Sequence, residues 1–204
     1  FSNKIWNSFR LVKGWEVVKK NQPIHSSIAI EWYNQKFNSV LSEINDHFNK
    51  FRISDALMAV YKLIWDDFCS VFLEIVKPNY GESIDSKTFE QIVSIFEKNL
   101  IVIHPFMPFI SEEIWHLIEK RSKENAIIIA EWPSSTNSKD KDLIQDFESL
   151  LKVISGIRNF RKKHQVSFKD SLELSIVNND NFSADYDSII SKLCNISSIH
   201  YSDS

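Results

Sequence analysis

Apolar side chains recur at three- and four-residue intervals through most of the first 120 positions of this 204-residue chain. Ile5, Trp6, Phe9, Val12 and Trp15 share one side of a helix expected over 3–20. Asn3, Asn7, Arg10 and Gly14, at i, i+4, i+7 and i+11, form a polar line opposite them. After a break at Asn21 to Pro23, the seam of Ile30, Tyr33, Phe37, Val40, Leu41, Ile44 and Phe48 predicts a long helix to about Lys50. Ser54 is the expected cap of the next. That helix carries Leu57, Val60, Tyr61, Ile64, Phe68, Val71, Phe72 and Ile75 as far as Lys77, where Pro78 and Gly81 stop it. Phe89, Ile92, Val93, Phe96, Leu100 and Ile103 supply a fourth apolar face.

The stretch from His104 to Trp115 turns the chain. Pro105 and Pro108 lack backbone donors and disfavour the α region in the residues before them, so the incoming helix should end near His104. Ser111 is the expected N-cap of the next helix, with Glu112 and Glu113 in its first turn and Ile110 stapled to Trp115. Phe106, Met107, Phe109 and Ile110 are apolar enough that the corner should be buried. Four long amphipathic helices with short links predict a mainly α fold, an antiparallel helical bundle, with Trp32 and Trp65 as core aromatics.

Past that helix the pattern changes. Ala126 to Trp132 is a short apolar run stopped by Pro133, and Ser134 to Asp140 is a polar connector, the best internal boundary. We therefore divide the chain into a bundle, 1–133, and a small C-terminal α/β appendage, 134–204. The second part opens with a helix burying Leu143, Phe147, Leu150, Leu151, Ile154 and Ile157. Leu172, Leu174 and Ile176 then alternate with polar residues as a half-buried strand, Ser183 opens a helix, and Ile196 to Tyr201 reads as a second strand. Two strands make a poor sheet, so a further strand is expected beyond Ser204.

Composition adds a globular core and little chemistry. Hydrophobic residues make up 43% of the chain, enough to bury a real interior, and the apolar runs are too short to span a bilayer. A start at Phe1 without a signal-peptide pattern suggests a piece excised from a longer chain. Cys69 and Cys194, with no CxxC, fit a reducing, cytoplasmic setting. Gly14, Gly81 and Gly156 are too scattered for a phosphate-cradling loop, and the six histidines form no HxxxH pair. Asp66 with Asp67 and Glu112 with Glu113 read as solvated charge. No nucleophile, base and orienter can be assembled, so the polypeptide reads as a binding module.

Charge changes the picture more. Residues 1–20 hold five basic side chains against Glu16, and residues 152–164 hold five and no acid, leaving −12 for the rest of a chain whose total is −3. Two basic segments on an acidic background suggest an anionic partner, the bland alternative being two solvated helix faces.

The same segments carry a resemblance. Asn3-Lys4-Ile5-Trp6-Asn7 followed by Arg10, Trp65-Asp66-Asp67-Phe68-Cys69 ahead of Lys77-Pro78, the proline corner through Glu112-Glu113-Ile114-Trp115, Trp132-Pro133, and Ile157-Arg158 with Arg161 resemble the carboxy-terminal half of the valyl-tRNA synthetase family of class Ia, nearly end to end and in order. The isoleucine and leucine families share the proline corner and the Glu-Glu-Ile-Trp that follows. The resemblance implies an anticodon-binding bundle and a stem-contacting α/β unit that position tRNA-Val for ATP-dependent aminoacylation. It also implies catalytic Rossmann and editing domains upstream, where ATP and Mg would act, so this part needs no cofactor and no metal and carries no catalytic residue.

Unpaired RNA bases are recognised by stacking and by hydrogen bonds to their exposed edges. Asn3, Asn7, Arg10 and Trp15, with Lys77 at the end of the third helix, are accordingly the anticodon candidates. Arg158, Arg161, Lys162 and Lys163 are assigned to phosphates of the tRNA stem, because clustered cations position RNA without reading it. The expected partner is tRNA-Val, with no DNA and no membrane, and the chain is expected to be a monomer. The alternatives are a non-catalytic helical scaffold for another protein, or the equivalent domain of an isoleucyl or leucyl enzyme.

Overall fold

In the computed structural model, residues 1–122, 124–134, 141–177 and 183–202 are described. Helix α1 (Ser2–Lys13) stops earlier than the apolar pattern suggested. Gly14 caps it, and the β-branched pair that follows forms a short strand, β1 (Val17–Val18), parallel to β2 (Ile84–Asp85). Strand pairing with a distant segment outweighs the local helical period there. Helix α2 (Ile24–Asn49) is the expected central element, and it buries Ala29, Ile30, Trp32, Tyr33, Phe37, Leu41 and Ile44.

The third helix is continuous in direction but not in pitch. It runs as α3 (Ile53–Lys62), a π-helical stretch Leu63–Phe72, and α4 (Leu73–Val76). In the wider turn the Ser70 hydroxyl donates to the Trp65 carbonyl five residues back, at 2.8 Å. Ser54 is not its cap. The helix begins two residues earlier than that cap would give, after Arg52, whose Nε donates to Asp55 Oδ2 at 2.6 Å. Helix α5 (Ser86–Ile103) is capped by Asp85, which accepts from the Thr88 amide at 2.7 Å.

The corner is built differently from expectation. Helix α6 (Pro108–Ile118) starts with proline at its first position, where the missing N–H costs nothing, and Met107 is the cap residue. Ser111 is inside the helix and fully buried. Its Oγ donates to the Met107 carbonyl at 2.7 Å, leaving it to accept from His104 Nδ1 at 2.8 Å. Phe106 stacks on Phe48 as a buried corner requires, but Phe109 is 91% exposed. Trp115 is half-buried. Its indole N–H donates to the Asn125 carbonyl at 2.9 Å, and the Arg121 guanidinium lies over its ring at 3.9 Å. Glu112 is no solvated charge either, since it accepts from the Ile127 amide and from His116.

The connector placed at Ser134 to Asp140 falls at 135–140 outside the described residues. Helix α7 (Lys141–Lys163) packs on the bundle through Phe147, whose ring stacks on Trp32 at 4.2 Å and 11°. Strand β3 (Leu172–Val177), a short 3-10 turn (Ala184–Tyr186), α8 (Asp187–Cys194) and β4 (Ile196–Ser202) follow, with β3 and β4 parallel. Phe147 also meets Tyr186 edge-on at 6.1 Å, so one aromatic joins α2, α7 and the approach to α8. Trp65, expected in the core, lies half-exposed in a cluster with Phe1, Tyr61 and Lys4.

Trp32→Ala should cost about 3 to 5 kcal/mol in denaturant melts, because it empties a buried indole site that α7 closes. A change under about 1 kcal/mol would show that α7 is not seated on α2.

Asp67 provides a second check. It is half-buried, and burial raises its carboxyl to about 6 from 3.8; Lys36 opposes the rise while Asp66 and Glu148 add to it. Between the two values the folded chain holds more protons than the unfolded chain, so this residue makes stability fall as pH rises from about 4 to about 6. Asp67→Asn should remove that fall and add about 1 to 3 kcal/mol at pH 7. Identical pH profiles for the two proteins would mean that the carboxylate is solvated.

Candidate nucleic-acid interface

The third helix ends where Lys77 gives way to Pro78, which cannot continue the ladder. The next residues form a tight turn in which the Glu82 amide donates to the Asn79 carbonyl at 3.0 Å and Gly81 adopts a φ of 80°, as the third position of a type II turn requires. Tyr80, at the second position, is left fully exposed. The turn is held from below. Lys20 Nζ donates to the Ser83 carbonyl at 2.5 Å, and the Ile84 amide donates to Glu16 O at 2.8 Å.

Facing this turn are α7 and α8. Lys77, Asn79 and Tyr80 on one side and Arg158, Phe168 and Lys192 on the other line a single open cleft. Phe168 is 56% exposed. Lys77 pairs with Glu74 at 2.6 Å, an exposed pair of small net worth that a phosphate could replace. The cleft thus offers two uncovered aromatic rings between cations, the combination that stacks and neutralises single-stranded nucleic acid.

Lys192 is the least solvated cation here. Its Nζ donates to the carbonyls of Ile75 and Lys77, each at 2.6 Å, and to His25 Nε2 at 3.2 Å. Burial, the Lys192 charge and a smaller opposing effect of Asp85 bring His25 down to about 4, so at neutral pH its Nε2 is free to accept. Burial and Lys77 lower Lys192 to about 8 against Glu82 and Glu74, which leaves the ammonium mostly charged at pH 7.

The two sets of candidates from sequence are regrouped. Lys77, assigned to the anticodon, and Arg158, assigned to the stem, share the cleft. Asn3, Asn7 and Arg10 lie on the exposed face of α1, as their spacing required, and line no part of that cleft. Trp15 is half-buried against the core. Lys162 and Lys163 are exposed at the end of α7.

Arg161 is a correction. It is only 4% exposed, and its guanidinium donates to the carbonyls of Ser167 and Asp170 at 2.8 and 2.9 Å and to those of Cys194 and Asn195 at 2.9 and 3.1 Å. A side chain spent on four backbone carbonyls is not available to a phosphate; the basic run concealed one inward position. Tyr80 and Phe168 were missed. The available signal was an aromatic between Pro78 and Gly81, and another just past a basic run, neither with an apolar period to bury it. Among the described residues no group of His, Cys, Asp or Glu could hold a metal ion, and no helix is long and apolar enough to cross a membrane.

Comparison with known proteins follows the same geometry. Residues 31–176 match the family model described as the anticodon-binding domain of tRNA ligase, a span that includes Lys77, Tyr80, Arg158 and Phe168. The chain is 52% identical over 202 residues to a valine–tRNA ligase of Christiangramia forsetii and 42% identical over 200 residues to that of Parabacteroides distasonis, covering 98% of this chain and 23% of each relative. Against the valine–tRNA ligase of Pseudothermotoga lettingae, identity is 30% over 178 residues, 86% of this chain and 20% of that protein. The chain therefore spans about a quarter of the length of the curated relatives it matches.

Arg161→Met should lower stability by about 2 to 4 kcal/mol, because a buried guanidinium's charge-assisted bonds to four carbonyls are lost. Lys162→Glu, on the exposed side, should stay within about 0.5 kcal/mol. Equal, small losses in thermal melts would return Arg161 to the surface.

Proposed function

We propose, for a chain that belongs to the anticodon-binding domain family of tRNA ligases, that it binds the anticodon arm of tRNA-Val and holds it for aminoacylation by a valine–tRNA ligase. The single observation that carries this reading is the cleft in which Tyr80 and Phe168 stand uncovered between Lys77 and Arg158. Splayed loop bases need flat apolar faces to stack on, and their phosphates need nearby cations. The relatives are valine–tRNA ligases, and from them this reading takes valine as the amino acid. In this reading ATP and Mg serve amino-acid activation elsewhere in the ligase, and the chain acts as a monomeric, cytoplasmic RNA-holding part.

The work divides between two surfaces. Lys162 and Lys163 follow the phosphates of the stem and set affinity without discrimination, as exposed cations on a helix do. The cleft engages unpaired nucleotides. The exposed line of Asn3, Asn7 and Arg10 presents amides and a guanidinium suited to base edges, and we keep it as a second contact with the loop.

A binding matrix tests the division. Glutamate at both Lys162 and Lys163 should weaken tRNA transcripts with normal and altered anticodons alike and reduce the salt slope by about 0.7 to 0.9 per lost phosphate contact. Tyr80→Ala should cost about 1 to 3 kcal/mol with an unpaired loop and little with a fully paired hairpin. Binding that ignores salt and both sets of substitutions would instead favour a protein-docking scaffold.

A further inference from the structure

Within the cleft, Lys192 does a different job from its neighbours. It is half-buried, and among the described residues it makes no salt bridge; Glu74, the acid nearest in sequence to the helix end, is engaged by Lys77. The acceptors it meets are the Ile75 and Lys77 carbonyls of the α4 end and the His25 ring of α2. Carbonyls at a helix end have no partner within the helix and carry its negative pole, and Pro78 can donate nothing to them. A cation arriving from another helix satisfies both at once.

We propose that Lys192 is the positioning residue of the cleft, fixing the wall of Arg158 and Phe168 against the wall of Lys77 and Tyr80. This rests on the RNA-binding reading of that cleft. The last turn of α8 is the joint through which the residue acts. Two and three residues beyond Lys192, Arg161 grips the Cys194 and Asn195 carbonyls, and the same guanidinium lies 5.7 Å from the centre of the Phe168 ring. Arg158 reaches the Leu193 carbonyl at 3.4 Å. Every residue of the second wall is thus referred to α8, and the Lys192 ammonium refers α8 to the carbonyl of Lys77 itself. Apolar packing of Ile189, Ile190 and Leu193 keeps α8 on the bundle but does not fix its position along the groove, because such contacts are non-directional.

Lys192→Met retains the stem and removes the donors. Without any RNA, backbone hydrogen exchange of the whole chain should quicken by on the order of tenfold at 75–83, with α5 unaffected. Unchanged exchange at 75–83 overturns the proposal. Binding is then compared for Lys192→Met, Tyr80→Ala and the double variant, using a stem-loop RNA with the valine anticodon, well below the melting midpoint. Lys192→Met should weaken binding by on the order of tenfold alone and by much less when Tyr80 is already absent, since a positioning residue has little left to position. Equal losses in both backgrounds overturn it. Should the methionine variant not fold, Lys192→Gln supports the same comparison. If the unaltered chain bound no RNA, the functional reading would fail while hydrogen exchange still decided whether Lys192 fixes the turn.

Discussion

The constraint on which the rest of the molecule depends is that helix ends left in the interior must find donors for their carbonyls. Two helices end next to each other here, α4 at Lys77 and α8 at Asn195, and each is closed by a basic side chain from a different helix. Lys192 of α8 reaches the end of α4, and Arg161 of α7 reaches the end of α8. Neither of these bonds involves a carboxylate. A neighbouring acid would satisfy the cation without tying two segments, whereas a carbonyl pins a backbone. The result is a chain of three helices, α4, α8 and α7, linked at their C-terminal ends by cation-to-carbonyl bonds. The cleft lies along that chain.

Apolar packing supplies what those bonds cannot. Trp32 stacked on Phe147, with Tyr186 edge-on and all three buried, closes the seam between the bundle and the following helix. Such contacts hold the parts together but tolerate sliding, while the directional bonds at Lys192 and Arg161 do not. Affinity of the two parts for each other and accuracy of their placement therefore come from different side chains. Mutations in the two sets should have different signatures.

Much of the fold was legible because it rests on period. The seams of α2 and α5 repeat at 3.6 residues over long stretches, and β3 alternates strictly, so tertiary context had nothing to override there. The errors lie where a distant partner decides. Val17 and Val18 left the helical pattern for Ile84 and Asp85, and Ser111 gave up a capping role to bond Met107 and His104. The site was legible as charge and not as geometry. A basic run announces cations but not which one turns inward, and Arg161 does so because its i+4 relation to Ile157 places it on the apolar side of α7. Tyr80 was invisible for the opposite reason: a single aromatic in a turn has no period, and its place in the candidate cleft comes from sharing it with Phe168, far away in sequence.

The regrouping of the basic residues bears on how such a surface can discriminate. Two patches acting only on phosphate would add affinity for any RNA of the right shape, and a chain with an acidic remainder of −12 would gain only selectivity against non-specific polyanions. Discrimination among loops requires groups that respond to an unpaired base, and those must be held where a base can enter between them. Flat rings on a flexible loop would pay for ordering on each binding event. The Asn79 to Glu82 turn avoids that cost through Gly81, the Lys20 bond to Ser83 and the short β1 to β2 pairing, all present before any ligand arrives. Pre-ordering also explains why the turn lies directly after a helix end held by a half-buried cation: the same bond that satisfies Lys77 O fixes the first residue of the loop that presents Tyr80.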